Sequence, residues 1–282
     1  MDSVVGGRWV LFHDPSAFSS DIEDAATRIV GICAALVANP ILKCADGATG
    51  GLVDRPLPEI GHGRSADSSM AQFLALVGRL RLALPAAVGA WAYLRLDQPA
   101  PEALQLVQAA AAGADLLVLD AEGPTSGKYR QAETFARMLR QRAPAARIGL
   151  CAAPAIGYPQ ALPEAQLLAC CDFAMPMAYW PDFKQAPAEC VTKSAAYKLP
   201  TLPAGVVTAP PAEVSAFMAA CDSLPGVAFW CGDQLAQMTT DAFVAFREAV
   251  ERRPAPAATA EAAAAIAAAE KDLQAAAAAV GS

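Results

Sequence analysis

The sequence predicts a single (β/α)8 TIM barrel over residues 1–251, followed by a Pro/Ala linker at 252–260 and an alanine-rich helix at 261–282. Three observations carry that reading. Eight short apolar runs recur along the chain, at 9–13, 41–45, 88–94, 116–122, 148–152, 173–179, 202–207 and 227–230. Stretches of helical periodicity lie between them, at 21–37, 69–84, 101–112, 128–142, 163–169, 211–221 and 240–250. Eight strands alternating with helices over about 250 residues is the rhythm of a closed parallel barrel, and no strand leads into a Gly-rich phosphate loop of the kind an open doubly wound sheet carries.

Composition narrows the function classes. A chain of 282 residues with 55% hydrophobic content can fill one large core. Charged residues make up 17%, the net charge is -7, and no basic run could neutralise a row of phosphates, so nucleic acid is not an expected partner. The apolar run 29–42 is broken by Asn39 and Pro40 and is too short to span a bilayer. The start, MDSVVGGRWV, lacks a basic segment followed by an apolar one, so synthesis in the cytoplasm without a signal peptide is expected.

The eight cysteines lack C-x-x-C spacing, fall mostly inside predicted elements and include the adjacent pair Cys170 and Cys171; they read as buried, reduced thiols. With His13 and His62 the only histidines, the spacing offers no metal site. GATGG at 47–51 has neither the G-x-G-x-x-G pattern nor a following Lys-Ser/Thr, and no cofactor is expected.

In such a barrel chemistry sits where strands end, at the C-terminal mouth. The run DLLVLDAEG sets Asp120 and Glu122 two residues apart on the fourth predicted strand, so both side chains share the face that opens into the mouth. Two carboxyls so close do not ionise independently. One can hold a proton and donate it while the other stays charged, which is the division of labour that glycosidic cleavage needs. The same spacing also fits a plain acidic opening of a βα loop.

Around this pair the strand ends are aromatic. CDFAMPMAYW turns Met175, Met177 and Tyr179 towards the axis and Pro176, Ala178 and Trp180 away from it, with Tyr179 at the mouth. AWAYLRLD places Trp91, Tyr93, Arg95 and Asp97 on one face, and FWCGDQ brings Trp230, Asp233 and Gln234 to the end of the eighth strand. Aromatic planes beside carboxylates suit sugar rings, whose C–H faces pack on rings while their hydroxyls need polar partners. The second strand ends with Lys43 and Asp46 and the first with His13 and Asp14; Lys43 either holds a carboxylate in the mouth or snorkels. The candidates are therefore Asp120 and Glu122 for catalysis, and Lys43, Asp46, Trp91, Tyr93, Tyr179, Trp230 and Asp233 for binding substrate. The Gly- and Pro-rich stretch 46–69 follows the second strand and should lie over the mouth.

These motifs resemble those of barrel glycoside hydrolases over most of residues 8–250. The Asp-x-Glu at 120–122, ILKCADG and WAYLRL look like the lysozyme-type family 25 muramidases, whereas the MAY of 177–179 and the late Trp230 look more like family 18 chitinases. DAEG followed by MPMAYW is also similar to glycosidase-like barrels of tailed bacteriophages, in virion or lysis proteins. The resemblance implies Glu122 as general acid/base, Asp120 as its electrostatic partner or nucleophile, and Tyr179 as an orienting group. The chitinase pattern has two further aspartates before its Asp-x-Glu; this chain matches one with Asp115 and has Val118 at the other, and it has Trp180 where that pattern has an Asp after the Tyr.

Two functions follow as expectations. One is hydrolysis of a cell-wall amino-sugar polymer, peptidoglycan or chitin-like; the alternative is a non-catalytic carbohydrate-binding or structural module of a phage tail or baseplate. In the alanine-rich segment Ile266, Leu273 and Val280 recur every seven residues, with Ala269 and Ala276 between them. So narrow a seam predicts packing on copies of itself or on another protein of an assembly.

Overall fold

The structure, a computed structural model, describes residues 6–13, 21–50, 66–84, 87–153 and 161–251. The linker, the alanine-rich segment, Asp14 and most of the 46–69 stretch lie outside the described residues. In chain order the elements are β1 (Gly7–Phe12), α1 (Ile22–Leu36), β2 (Ala38–Asp46), β3 (Thr49–Gly50), α2 (Ala66–Ala83), β4 (Gly89–Leu94), α3 (Pro99–Ala111), β5 (Leu116–Ala121), α4 (Tyr129–Arg142) and β6 (Arg147–Cys151). There follow α5 (Glu164–Leu168), β7 (Phe173–Ala174), α6 (Trp180–Phe183), α7 (Pro187–Ser194), β8 (Ala204–Val206), α8 (Pro211–Ala220), β9 (Gly226–Trp230), α9 (Gly232–Leu235) and α10 (Thr240–Glu251).

Eight parallel strands run in the order β7-β6-β5-β4-β2-β1-β9-β8, with the two-residue β3 paired antiparallel to β2. Isolated parallel bridges, Ala174 to Thr201 and Met177 to Ala204, join the two ends of that order and close the barrel. Among the described residues no helix is long and apolar enough to cross a membrane.

The period of two along each strand sorts side chains between two cores. Inside the barrel lie Trp9 and Leu11 of β1, Ile41 of β2, Trp91 of β4, Leu116 and Val118 of β5, Cys151 of β6, Phe173, Met175 and Met177 around β7, and Ala228 of β9. Their neighbours in sequence, such as Val10, Phe12, Leu42, Ala92, Leu117, Leu119, Leu150 and Phe229, pack outwards under the helices. Gly149 faces the lumen, where a Cβ would collide with the Phe173 ring. A glycine is needed there because the aromatic ring fills its space.

The structure departs from the sequence reading where local chemistry overrides pattern. The strand predicted at 173–179 is regular only over two residues, since Pro176 has no N–H to give the ladder, yet Met175 and Met177 still face the lumen and Ala178 and Trp180 the outer core. The face predicted to run from Trp91 to Asp97 breaks after Leu94, because Leu96 adopts φ 57 and turns the chain. The short helices α6, α7 and α9 had no periodicity long enough to announce them.

The N-terminal, lower end of the barrel is fastened by a device used twice. Asp115, just before β5, accepts from Arg81 of α2 at 2.7 Å and from the Val88 backbone at 3.0 Å. Asp172, just before β7, accepts from Arg140 of α4 at 2.8 Å and from the Ile148 backbone at 3.0 Å. Each carboxylate thus ties a helix and two strand starts together. Asp115, which matched one of the two further aspartates of the chitinase pattern, therefore sits at the far end from the mouth.

Candidate active site

At the C-terminal end of the barrel, register sets one level of side chains side by side: Asp46 opposite Tyr93, Tyr93 opposite Asp120, and Asp120 opposite Cys151. Asp120 continues the inward series of Leu116 and Val118, and it is 9% exposed. Its Oδ1 is buried without a hydrogen-bond partner. Burial, then the nearby Glu122, push its pKa well above the ordinary carboxylate value, against the pull of Lys43. A carboxyl so placed gives up its proton less readily than an exposed one.

Glu122 follows the strand in extended conformation (φ -126, ψ -160) and precedes a 3-10 turn at Gly123–Thr125. It is half-buried. Burial raises its pKa, while a hydrogen bond from Tyr93 acts the other way. Tyr93 itself is pushed up to about 12 by burial and by the two carboxyls, and so remains a donor. Tyr179, above the Met175 and Met177 stripe, is raised well above the ordinary tyrosine value by burial, with Cys151, Asp120 and Glu122 as charged neighbours. Two carboxyls and two phenols thus meet at one place.

A second group adjoins it on the β1–β2–β9 side. Trp91 and Trp230 meet edge to face with ring centroids 5.3 Å apart, and His13 lies 5.9 Å from each. The Trp91 indole donates to the Phe12 carbonyl at 3.0 Å, which fixes the ring across the lumen. Lys43 is 3% exposed, with Nζ 5.3 Å over the Trp91 ring, 3.1 Å from His13 Nε2 and 3.5 Å from Asp46. Of the two fates offered by the sequence this is the first: the ammonium is buried beside the Asp46 carboxylate, and an imidazole and an indole share it.

Asp46 also accepts from Arg95 at 2.6 Å, and the guanidinium stacks 5.6 Å over Tyr93. Asp233 opens α9 and accepts from the His13 backbone at 3.1 Å, so at least one of its oxygens fastens β1 to the β9 end. The mouth therefore gathers Asp120, Glu122, Tyr93 and Tyr179 at its centre, with Trp91, Trp230, Lys43 and Asp46 beside them and Asp233 holding the wall. Among the described residues no group of three His, Cys, Asp or Glu side chains could hold a metal ion.

One residue and one contact escaped the sequence reading. Glu102, 1% exposed, accepts from the backbone N–H groups of Arg95, Leu96 and Gln98 and so shapes the loop after β4 that carries Arg95. His13 joins the mouth through a contact that its lone position in sequence could not announce. Glu102 had one legible signal, an acidic residue in the first turn of a helix opened by Pro99 and Pro101.

The fold recurs in solved structures. A Pyrococcus furiosus chitinase domain complexed with chito-oligosaccharides superposes with a TM-score of 0.59 at 12% identity, covering 88% of this chain and 94% of that one. The spore cortex-lytic enzyme SleL of Bacillus megaterium matches with a TM-score of 0.55 at 9% identity, covering 86% of this chain and 73% of that one. The N-acetylneuraminic acid synthetase of Leptospira borgpetersenii matches with a TM-score of 0.52 at 12% identity, covering 88% and 83%. No family model and no curated protein sequence matches the chain. At these identities the likeness establishes the barrel fold alone, an architecture that chitinases share with a synthetase.

Proposed function

We propose that this barrel hydrolyses a β-linked amino-sugar polymer of a cell wall, chitin-like or peptidoglycan, with Glu122 as the general acid/base. The observation that carries the reading is the pairing of a buried Asp120, its pKa raised, with a half-buried Glu122 in a mouth lined by Tyr93 and Tyr179. Burial moves Glu122 towards the pH at which it can both give and take a proton, as a group that protonates a leaving oxygen and later activates water must do. A protonated Asp120 is a poor nucleophile, so its role is to donate a hydrogen bond and let Glu122 change charge without facing a second anion. Tyr93 orients Glu122. Trp230, half-buried at the mouth, offers an apolar face on which a pyranose can lie, whereas Trp91, 2% exposed, packs edge to face against it from below and does not serve as the sugar-stacking ring that the sequence suggests. The chitinase and the cortex-lytic enzyme among the structural relatives agree with such a substrate.

The test is release of reducing ends from chitin oligosaccharides and from purified peptidoglycan. Turnover by the wild type that Glu122→Gln abolishes supports the reading. Binding of the same polymers without turnover identifies instead the non-catalytic carbohydrate-binding module. A place in a phage virion or lysis system, and assembly through residues 261–282, rest on the sequence alone; deleting 255–282 and measuring mass in solution with and without partner proteins tests the latter.

A further inference from the structure

At the lower end of the barrel, far from the mouth, Cys170 and Cys171 follow α5 in adjacent positions. All eight cysteines are free thiols. This pair differs from the rest in geometry: both sulfurs lie 3.2 Å from the same acceptor, the Leu167 carbonyl, so they converge on one point rather than pointing apart. The Cys170 carbonyl between them is gripped by Arg140 at 2.5 Å, which brings a guanidinium to the pair. Cys170 also lines a groove of about 510 Å³ between α4 and α5, together with Glu133, Arg137, Arg140 and Gln166. Two arginines beside a thiol suit an anionic thiol reagent. The Cys171 S–H and the Arg140 guanidinium draw the Cys170 thiol below its ordinary value although burial opposes them. Cys33 and Cys44, 1% and 0% exposed against 3% for Cys170, are pushed up by desolvation, alone at Cys33 and chiefly at Cys44.

We propose that Cys170 and Cys171 form a redox-active vicinal dithiol site that reacts with a small anionic disulfide of the glutathione class. The Cys170 thiolate attacks one sulfur of the disulfide, forming a mixed disulfide and expelling one thiolate. Cys171, deprotonated in turn, attacks the Cys170 sulfur, closes the 170–171 disulfide and expels the second thiolate. The protein loses two electrons and two protons, and the reagent gains them as two thiols. Adjacent Cα atoms stand about 3.8 Å apart, shorter than the usual disulfide span of about 4.4–6.8 Å, so the ring is strained and readily reduced. The site is therefore reversible, unlike a structural bridge. It uses no residue of the proposed active site, and its success or failure is independent of whether the mouth turns over polysaccharide.

The experiment incubates the full-length protein with oxidised glutathione, followed by alkylation of remaining thiols, intact mass and peptide mapping. The wild type should lose two hydrogens at 170–171 under non-denaturing conditions and regain them with reduced glutathione. Cys171→Ser, which removes the resolving thiol, should instead accumulate one glutathione adduct on Cys170. Cys170→Ser should react at least tenfold more slowly. A 170–171 peptide that stays reduced until the protein unfolds, a stable adduct on wild-type Cys170, or oxidation confined to other cysteines overturns the proposal. Should either serine variant fail to fold by circular dichroism, the wild-type mapping decides alone.

Discussion

The two ends of the barrel treat their carboxylates in opposite ways. At the lower end Asp115 and Asp172 each receive an arginine and a backbone N–H, and each sits where two strands begin. At the mouth Asp120 is more deeply buried than either, yet its Oδ1 has no hydrogen-bond partner. Burying a polar atom without a partner costs stability, so a chain that satisfies the lower carboxylates and leaves the upper one wanting has separated two tasks. The lower end fastens the fold, and the upper end holds a carboxyl oxygen that is buried and unsatisfied.

This contrast can be broken by mutation. The largest effect belongs to the mouth: Glu122→Gln should lower polysaccharide turnover by about 10²–10⁴-fold, the usual contribution of general acid–base catalysis, while the melting temperature stays unchanged or rises. A fall in melting temperature with unchanged turnover would assign Glu122 to the scaffold. Next comes Arg140→Ala at the lower end, which removes donors from Asp172 and from the Pro144, Ala146 and Cys170 carbonyls. It should cost about 2 kcal/mol in chemical denaturation, with turnover untouched. Arg140→Lys should not restore that loss, since one ammonium cannot reproduce the planar fork.

A subtler test uses pH. The folded pKa of Asp120 is raised, so between the ordinary carboxylate value and the native one the folded state binds more protons than the unfolded state. Stability therefore falls as pH rises through that window and levels off above the native pKa. Asp120→Asn should remove that decline, read as a flatter plot of unfolding free energy against pH. An unchanged slope would mean that Asp120 ionises freely. The smallest effect is expected at the exposed Asp97–Lys128 pair, 2.6 Å apart, where Asp97→Ala should alter stability by no more than about 0.5 kcal/mol.

Much of the barrel was legible because period and burial coincide. Leu116, Val118 and Asp120 against Leu117, Leu119 and Ala121 is a plain alternation, and it predicts both the lumen face and the position of the carboxyl. Tyr93 beside Glu122 was legible for the same reason, lying near the end of a strand, whereas Tyr179 follows the regular part of β7 and caps α6. What stayed hidden depends on pairs distant in sequence. Asp172 and Arg140 are 32 residues apart, and His13 and Lys43 are 30 apart, so neither pairing leaves a local signature. Glu102 was hidden for another reason: its partners are backbone N–H groups, to which the residue types of the loop give no clue.

The closure between β7 and β8 has a consequence of its own. Elsewhere neighbouring strands share continuous ladders, but here two isolated bridges do the work, and Pro176, Pro200 and Pro203 around them accept hydrogen bonds without being able to donate any. A cylinder with one thin staves' joint opens along that joint first. Amide exchange at Ala174, Ala178, Leu202 and Ala204 should therefore run ahead of exchange in β4 and β5. Tyr179 stands at the top of the joint and Asp120 on β5, two strands along from it, so the edge of the mouth at the joint can yield to a bulky guest while the strand bearing the carboxyls holds its shape.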